Sequence, residues 1–370
     1  MAASFIKHFS VLEDSRIERK KLHAFSDILV LVVCAMISGA DGWEDIAAFG
    51  HSKLEWLRRF IPLKNGVLSH DCIAYVISRL DPKRFTECFI QWTEEVREKT
   101  LGEIVAVDGK TARGSQNRKR GKNPLHMVSA WATSNRLVLG QEATEEKSNE
   151  TTAIPKLLEL LELHGCIVTI DAMGCQRDIA EQIVNQGADY VLGLKGNQSS
   201  LHEAVEDYFT AAQATGFKQV QHTYHEETDK GHGRLETRRY WITEDLCTLP
   251  QTERWKGLCS IGMVEREFEE GEKRGKERRY FINSIAADAG LFAHAVRAHW
   301  GIENCLHWRM DVVLKEDASR IRKGNAAAIM TTIRHLCLNL FQKEPSKLSI
   351  KKKRLKAAWD DNFRCNVLFA

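Results

Sequence analysis

Apolar residues along this chain change their spacing at two places. Through residue 98 they recur at the three- and four-residue intervals of helices packed on one side. The run ILVLVVCAMISGA at 28–40 is apolar nearly throughout and reads as a core helix, with Ser26 as its N-cap and Gly39 as its stop. GWEDIAAFGHSKLEWLRRF at 42–60 is amphipathic, with Trp43, Ile46, Phe49, Leu54 and Leu57 among its apolar positions. SHDCIAYVISRLD follows, and then a helix opening on Pro82. These helices form a first domain, 1–98, for which DNA binding is the functional alternative to a plain structural role.

From Glu103 the period shortens. EIVAVDG, HMVSAWATS and RLVLGQEAT are β-rich runs separated by loop signals, the pattern of an antiparallel meander. The helix TAIPKLLELLELHG, the strand CIVTIDA, the helix CQRDIAEQIVNQG, the strand ADYVLGLK and a helix from Ser199 come next. The order β-β-β-α-β-α-β-α predicts an α/β fold, a mixed sheet flanked by helices, beginning in 99–216. A β-rich insertion occupies 217–285, with one hairpin turning around Gly231–Gly233 and a second with a charged turn. Helical spacing returns over 286–345, the second part of the core. A basic tail, 346–370, follows.

Composition narrows the class without naming it. With 370 residues, 43% apolar and 28% charged, the chain is globular material enough for two or three domains. The net charge of +3 is uninformative, but its distribution is not. Lys110 to Lys122 holds six basic residues and no acid, and Arg320 to Lys356 holds eleven against Glu344 alone. Such stretches suit a phosphate backbone. The 10 cysteines form no CxxC pair, and Cys34, Cys72, Cys166, Cys259 and Cys337 sit in apolar surroundings as buried thiols. That usage predicts a reducing, cytoplasmic setting. The 28–40 run is shorter than the ~20 residues that span a bilayer, so no membrane partner is expected.

Three acidic segments carry the chemistry: VAVDGKT at 105–111, VTIDAMGCQ at 168–176 and HWGIENCLHWRMDVV at 299–313. The first two read as buried strands ending on Asp108 and Asp171, and the third as a helix carrying Glu303. A carboxylate at the end of a buried strand needs a partner, and a divalent cation is a suitable one. Three such acids brought together make an oxygen-rich site for Mg²⁺, with Mn²⁺ as a substitute, acting on phosphate. On a continuous helix His299, Glu303, His307 and Asp311 share one face, so Asp311 competes with Glu303 for the third place. Lys110, Lys195, Asn197 and Gln198 are candidate contacts to phosphates or bases, with loop polarity as the alternative. Trp300 and Trp308 read as helix-packing residues, and Cys175 lacks a local histidine to activate it.

Taken together, these segments resemble a known family. LEDSR at 12–16, FSDILVLVVCAMISGADGWEDIAAFG at 25–50, HDCIAYVISRLDPKRFTECFIQW at 70–92, AVDGKTARGS at 106–115, EKSNETTAIPKLLELL at 146–161, TIDAMGCQRDIAEQI at 169–183, LGLKGNQ at 192–198 and HWGIENCLHWRMDVVLKEDASRIRKGNAAA at 299–328 are similar to segments of the ISAs1-type insertion-sequence transposases. These include the bacterial H-repeat-associated proteins and lie within the DDE transposases of ribonuclease-H-like fold. The resemblance implies that Asp108, Asp171 and Glu303 are the catalytic metal ligands. It also implies a reaction that cleaves strands at the element's ends and joins a 3′-hydroxyl to target DNA, with a dimer pairing the two ends.

The chain departs from related transposase groups in one respect. They place Tyr and Arg seven and four residues before the catalytic Glu and Lys seven after it, where this chain has Val296, His299 and Met310. The nearest basic groups are Arg297, His299, His307 and Arg309; the first three, with Lys110 and Arg113, complete the set of expected DNA contacts. Two rival readings remain at this point: a Mg²⁺-dependent nuclease or resolvase without joining activity, and a DNA-binding relict that catalyses nothing.

Overall fold

The structure is a computed structural model that describes residues 3–14, 16–116, 123–144, 150–231, 234–271 and 273–370. Six helices come first: α1 (Ser4–Phe9), α2 (Phe25–Ile37), α3 (Trp43–Ser52), α4 (Leu54–Leu57), α5 (His70–Ile77) and α6 (Pro82–Val96). Helix α2 is buried along nearly its whole length, as its unbroken apolar run requires. Its N-cap is Ala24 and not Ser26, because the helix already begins at Phe25. The predicted stop holds: Gly39 takes φ 108°, a left-handed conformation that releases the chain from the helix. Asp81 caps α6 by accepting from the Lys83 and Arg84 amides, with Pro82 at the first helical position.

The expected β-β-β-α-β-α-β-α order is present: β1 (Ile104–Ala112), β2 (Leu125–Ala132), β3 (Leu137–Ala143), α7 (Glu150–Glu159), β4 (Ile167–Ile170), α8 (Arg177–Asn185), β5 (Asp189–Leu194) and α9 (Ser199–Ala214). Four strands follow: β6 (Thr223–Gly231), β7 (Arg234–Thr243), β8 (Ser260–Glu270) and β9 (Lys273–Asn283). They do not form a separate layer. Strand β9 pairs antiparallel with β5, so all nine strands make one mixed sheet in the order β3-β2-β1-β4-β5-β9-β8-β7-β6. Strands β6 and β7 pair up to Gly231 and Arg234; the tip of that hairpin lies outside the described residues.

A long helix then crosses the sheet: α10 (Ala289–Ile302), a wider π turn (Glu303–His307) and α11 (Trp308–Val312). Helix α12 (Ala326–Lys343) is almost wholly buried. Its Asn339 accepts from the Val138 amide and donates to the Val138 carbonyl, each at 2.9 Å, which satisfies one residue on the free edge of β3.

The segment expected as a basic tail is folded. It forms α13 (Ile350–Trp359) and α14 (Asp361–Leu368), and three of its basic residues, Lys353, Arg354 and Arg364, are buried. Lys353 donates to the Phe341 carbonyl at 2.7 Å, while Arg354 donates to the Met36 and Ala40 carbonyls, both at 3.1 Å. Phe341 lies in the last turn of α12, where a helix leaves its carbonyls without a partner of its own. Charge density in the sequence cannot separate such structural cations from solvated ones. Cys34, Cys166 and Cys337 are buried as expected, whereas Cys72 and Cys259 are half-buried. Among the described residues no helix is long and apolar enough to cross a membrane.

Candidate metal centre

Strands β1 and β4 run parallel, and their register pairs Ile104–Val107 with Ile167–Ile170 one to one. Pairing stops at Val107 and Ile170, so the next residue on each strand is an acid, Asp108 or Asp171. Strand β4 ends there. Asp171 turns the chain by accepting from the Met173 amide at 3.0 Å. Strand β1 continues, so Asp108 is the fifth of its nine residues and not its terminus as expected. The antiparallel neighbour β2 keeps β1 extended to Ala112, past the point where β4 has left.

The third acid arrives from the other side of the sequence. Helix α10 packs Phe292, Ala293 and Val296 against Ile104, Ile167 and Val191 of the sheet. The Phe292 ring lies over Gly262, where a Cβ would come within 2.4 Å of it. At the end of α10 the π turn presents Glu303, whose side chain is 60% exposed. His307, by contrast, is buried. Its Nδ1 lies 3.1 Å from Glu303 Oε2 and 3.6 Å from Asp108 Oδ2. Asp108, Glu303 and His307 each offer one ligand atom within 4.8 Å of the others. Asp108, Asp171 and Glu303 line a cleft of about 490 Å³, with Lys195, Arg279 and Trp300 on its walls.

Burial, reinforced by Glu150, Asp171 and Glu303, pushes the Asp108 carboxyl up to about 7. Burial also lowers the basicity of His299 and His307, with Asp171 and Glu303 respectively opposing it. The imidazoles are therefore neutral near pH 7 and able to offer a lone pair. A crowd of carboxylates that resists full ionisation is a donor set suited to a divalent cation, whose charge relieves the crowding.

The comparisons with known proteins agree with this geometry. Residues 99–340 match the family model for the transposase DDE domain, and residues 6–93 match the DDE_Tnp_1-associated model. The chain belongs to the DDE transposase family. A protein of Escherichia coli O157:H7 named as a transposase, YncI, is 46% identical over 96% of this chain and 92% of its own. An H repeat-associated protein of Escherichia coli K12 named as a transposase, YhhI, is 41% identical over 98% of this chain and 97% of its own. The chain is thus an enzyme of DNA transposition with a ribonuclease-H-like core, and its family implies a DNA substrate and the use of divalent metal.

Within this transposase the remaining candidates fall in different places. Asp311 turns away from Glu303 and pairs with Lys110 at 2.7 Å, and Lys110 also pairs with Glu316 at 2.8 Å. Lys110 is therefore largely occupied by internal partners. Arg113 is exposed, and its backbone amide donates to Asp317 at 3.0 Å. Asn197 donates to the Ala172 carbonyl at 2.7 Å and Gln198 to the Cys175 carbonyl at 3.0 Å, so both fasten the turn that follows Asp171. Lys195 is exposed at the cleft. His299 bonds Thr169 at 3.0 Å, and Arg297 pairs with Glu227 at 3.2 Å. Trp300 and Trp308 are 45% and 55% exposed, which corrects their reading as packing residues. The thiol of buried Cys175 is pushed up to about 12 by burial, which leaves it inert at neutral pH. Arg118, Lys119, Arg120 and Lys122 lie outside the described residues.

Two residues at the transposase site escaped the sequence reading. Glu150, at the start of α7, pairs with His126 Nε2 at 2.8 Å, and His126 Nδ1 lies 2.7 Å from Thr111 Oγ1. Both residues crowd the backbone of Gly109, beside Asp108. The only signal was indirect: Glu150 falls in the EKSNETTAIPKLLELL segment, and nothing in its spacing links it to Asp108.

Proposed function

We propose that this chain is an ISAs1-type transposase that cleaves DNA at the ends of an insertion sequence and transfers the freed strand to target DNA, with Mg²⁺ as its ordinary ion. The observation that carries the reading is the β1/β4 register, which brings Asp108 and Asp171 out side by side under Glu303. In this reading Asp108, Asp171 and Glu303 hold the metal. A bound ion of this class acidifies a water or 3′-hydroxyl nucleophile and neutralises charge gathering on the phosphate. Asp171 is held for this role by its bond to the Met173 amide, and Asn197 and Gln198 keep the adjoining turn in place. Lys195 and Arg279 on the cleft walls offer positive charge to the DNA backbone. Arg113, Arg297, His299 and Lys110 contribute to the same surface once DNA competes for their present partners. Pairing two element ends calls for at least a dimer on DNA, acting in the cytoplasm at the nucleoid.

The test uses labelled DNA carrying the inverted repeats that flank the gene, with a target plasmid and Mg²⁺. Cleavage and a strand-transfer product are expected. Cleavage without joining would favour a nuclease or resolvase, and no cleavage despite tight binding would favour a relict. Asp108→Asn, Asp171→Asn and Glu303→Gln should each abolish cleavage while leaving DNA binding largely intact. A fully active variant would remove that residue from the centre.

A further inference from the structure

His307 stands apart from a surface histidine in three ways. It is only 5% exposed, and its Nδ1 faces two carboxylates, Glu303 in the same turn and Asp108 from a distant strand. Its Nε2 is buried with no hydrogen-bond partner among the described residues. The ring is also delivered by a π turn, the one place where the long helix departs from α geometry between α10 and α11. Such turns are rare and are often found at functional sites. Here the turn aims one side chain into the protein beside Asp108 and leaves Glu303 facing the cleft.

The distances fit a shared ion better than a single hydrogen bond. An octahedral ion with ligands at ~2.1 Å separates neighbouring ligand atoms by about 3.0 Å. Nδ1 lies 3.1 Å from Glu303 and 3.6 Å from Asp108, so a small adjustment places all three on one ion. A hydrogen bond from His307 to Glu303 accounts for the first separation but not for the approach of the second carboxylate.

We propose that His307 is a nitrogen ligand of the metal centre, and that it tilts the centre's preference from Mg²⁺ towards Mn²⁺. The inference rests on the metal-centre reading given above and adds to it a ligand and a selectivity. Mg²⁺ is a hard ion that dehydrates reluctantly and takes oxygen donors. Mn²⁺ shares the octahedral, oxygen-rich preference but, as a transition metal, gains more from an imidazole.

The experiment uses full-length protein stripped with a chelator. Mn²⁺ binding is followed by electron paramagnetic resonance, Mg²⁺ binding by competition, and the ligand nitrogen by electron spin-echo modulation. The wild type should bind Mn²⁺ roughly tenfold or more tightly than Mg²⁺ and should show imidazole ¹⁴N modulation. His307→Phe keeps volume but removes the donor, and should abolish the modulation and narrow the preference to about threefold. His307→Asn places an amide near the former Nδ1. It should retain binding, lose the imidazole signal and narrow the preference likewise, which separates loss of a ligand from loss of fold. Absence of modulation in the wild type, or its persistence in both variants, would overturn the proposal, provided Asp108→Asn still weakens Mn²⁺ binding. If Asp108→Asn leaves Mn²⁺ binding unchanged, the underlying metal-centre reading is what fails.

Discussion

Lys110 Nζ lies 2.7 Å from Asp311 Oδ1, joining β1 to α11 across 201 residues of chain. The same ammonium sits 2.8 Å from Glu316, a buried acid that also accepts from Thr331 at 3.0 Å. The strand carrying Asp108 is thereby tied to the helix carrying Glu303, and the tie lies two residues beyond the first acid. Burial pushes the Glu316 carboxyl up, but Lys110 and Arg334 outweigh it and hold it below the usual range. Lys110→Met would leave Glu316 buried without its nearest cation, a loss of about 3 kcal/mol in urea denaturation. Adding Glu316→Leu should recover much of that stability, because the uncompensated charge is then gone. A loss below ~1 kcal/mol for Lys110→Met would mean that the pair behaves as a surface salt bridge.

The raised carboxyl of Asp108 makes the metal-free protein sensitive to pH. Its ordinary value is 3.8 and its folded value about 7. Between these values the folded state holds a proton that the unfolded state has released. Stability is therefore greatest below the ordinary value and falls as pH rises to about 7, then levels. Asp108→Asn should flatten this slope and raise the melting temperature of chelator-treated protein at pH 8. Divalent ions compete with the same proton, so their affinity should rise with pH until about 7 and then plateau. Melting curves from pH 5 to 8 decide the matter; parallel wild-type and variant profiles would show that Asp108 does not set the slope.

The folded C-terminus changes how its basic cluster must be tested. Deleting 349–370 removes Arg354 from carbonyls of Met36 and Ala40 and exposes the core beneath α13, so the product should be unfolded. Lys351, Lys352 and Lys356 are exposed and can be changed without that damage. Their triple replacement by Gln should leave stability within about 0.5 kcal/mol. If all three contact duplex phosphates, the salt slope of DNA binding should fall by about 2 to 3 units. An unchanged slope would place the DNA elsewhere.

The sequence showed most of the frame and only part of the site. Strand order was readable because each apolar run in 103–195 is short and bounded by turn residues, and that order made Asp108 and Asp171 neighbours. The attachment of β6–β9 to β5 was not readable with any certainty, since a charged hairpin carries the same period whether it extends a sheet or covers one. Periodicity placed Glu303 and Asp311 on one helical face. It could not foresee a π turn between them, or that Lys110 would draw Asp311 away. His307 entered as a DNA contact because its residue type suggested charge; its burial against two carboxylates, which supports the ligand role proposed above, could not be read from spacing. Lys353 and Arg354 misled for the converse reason: their positive charge is spent on buried carbonyls.

Gly109 offers the sharpest test of how closely the site is packed. It lies between Asp108 and Lys110 on β1, and a Cβ there would stand 2.2 Å from Glu150 Oε1 and 2.6 Å from His126 Nε2. Its φ is not in the left-handed region, so the demand for glycine is one of space and not of backbone conformation. Gly109→Ala must therefore displace the Glu150 carboxylate and the His126 ring from their pairing, at a cost of about 1–3 kcal/mol as for other overpacked sites. Because the displaced Glu150 carboxylate acts on Asp108, metal-dependent cleavage should fall further than the change in stability alone explains. Truncating Glu150 to Ala removes the nearer clash. In the Gly109→Ala background that second change should recover part of the stability, whereas in the wild type it strips His126 Nε2 of its partner and should be destabilising. This reversal of sign is a coupling that independent sites do not show. Additive effects in the four-variant cycle would mean that the acid and the glycine do not touch.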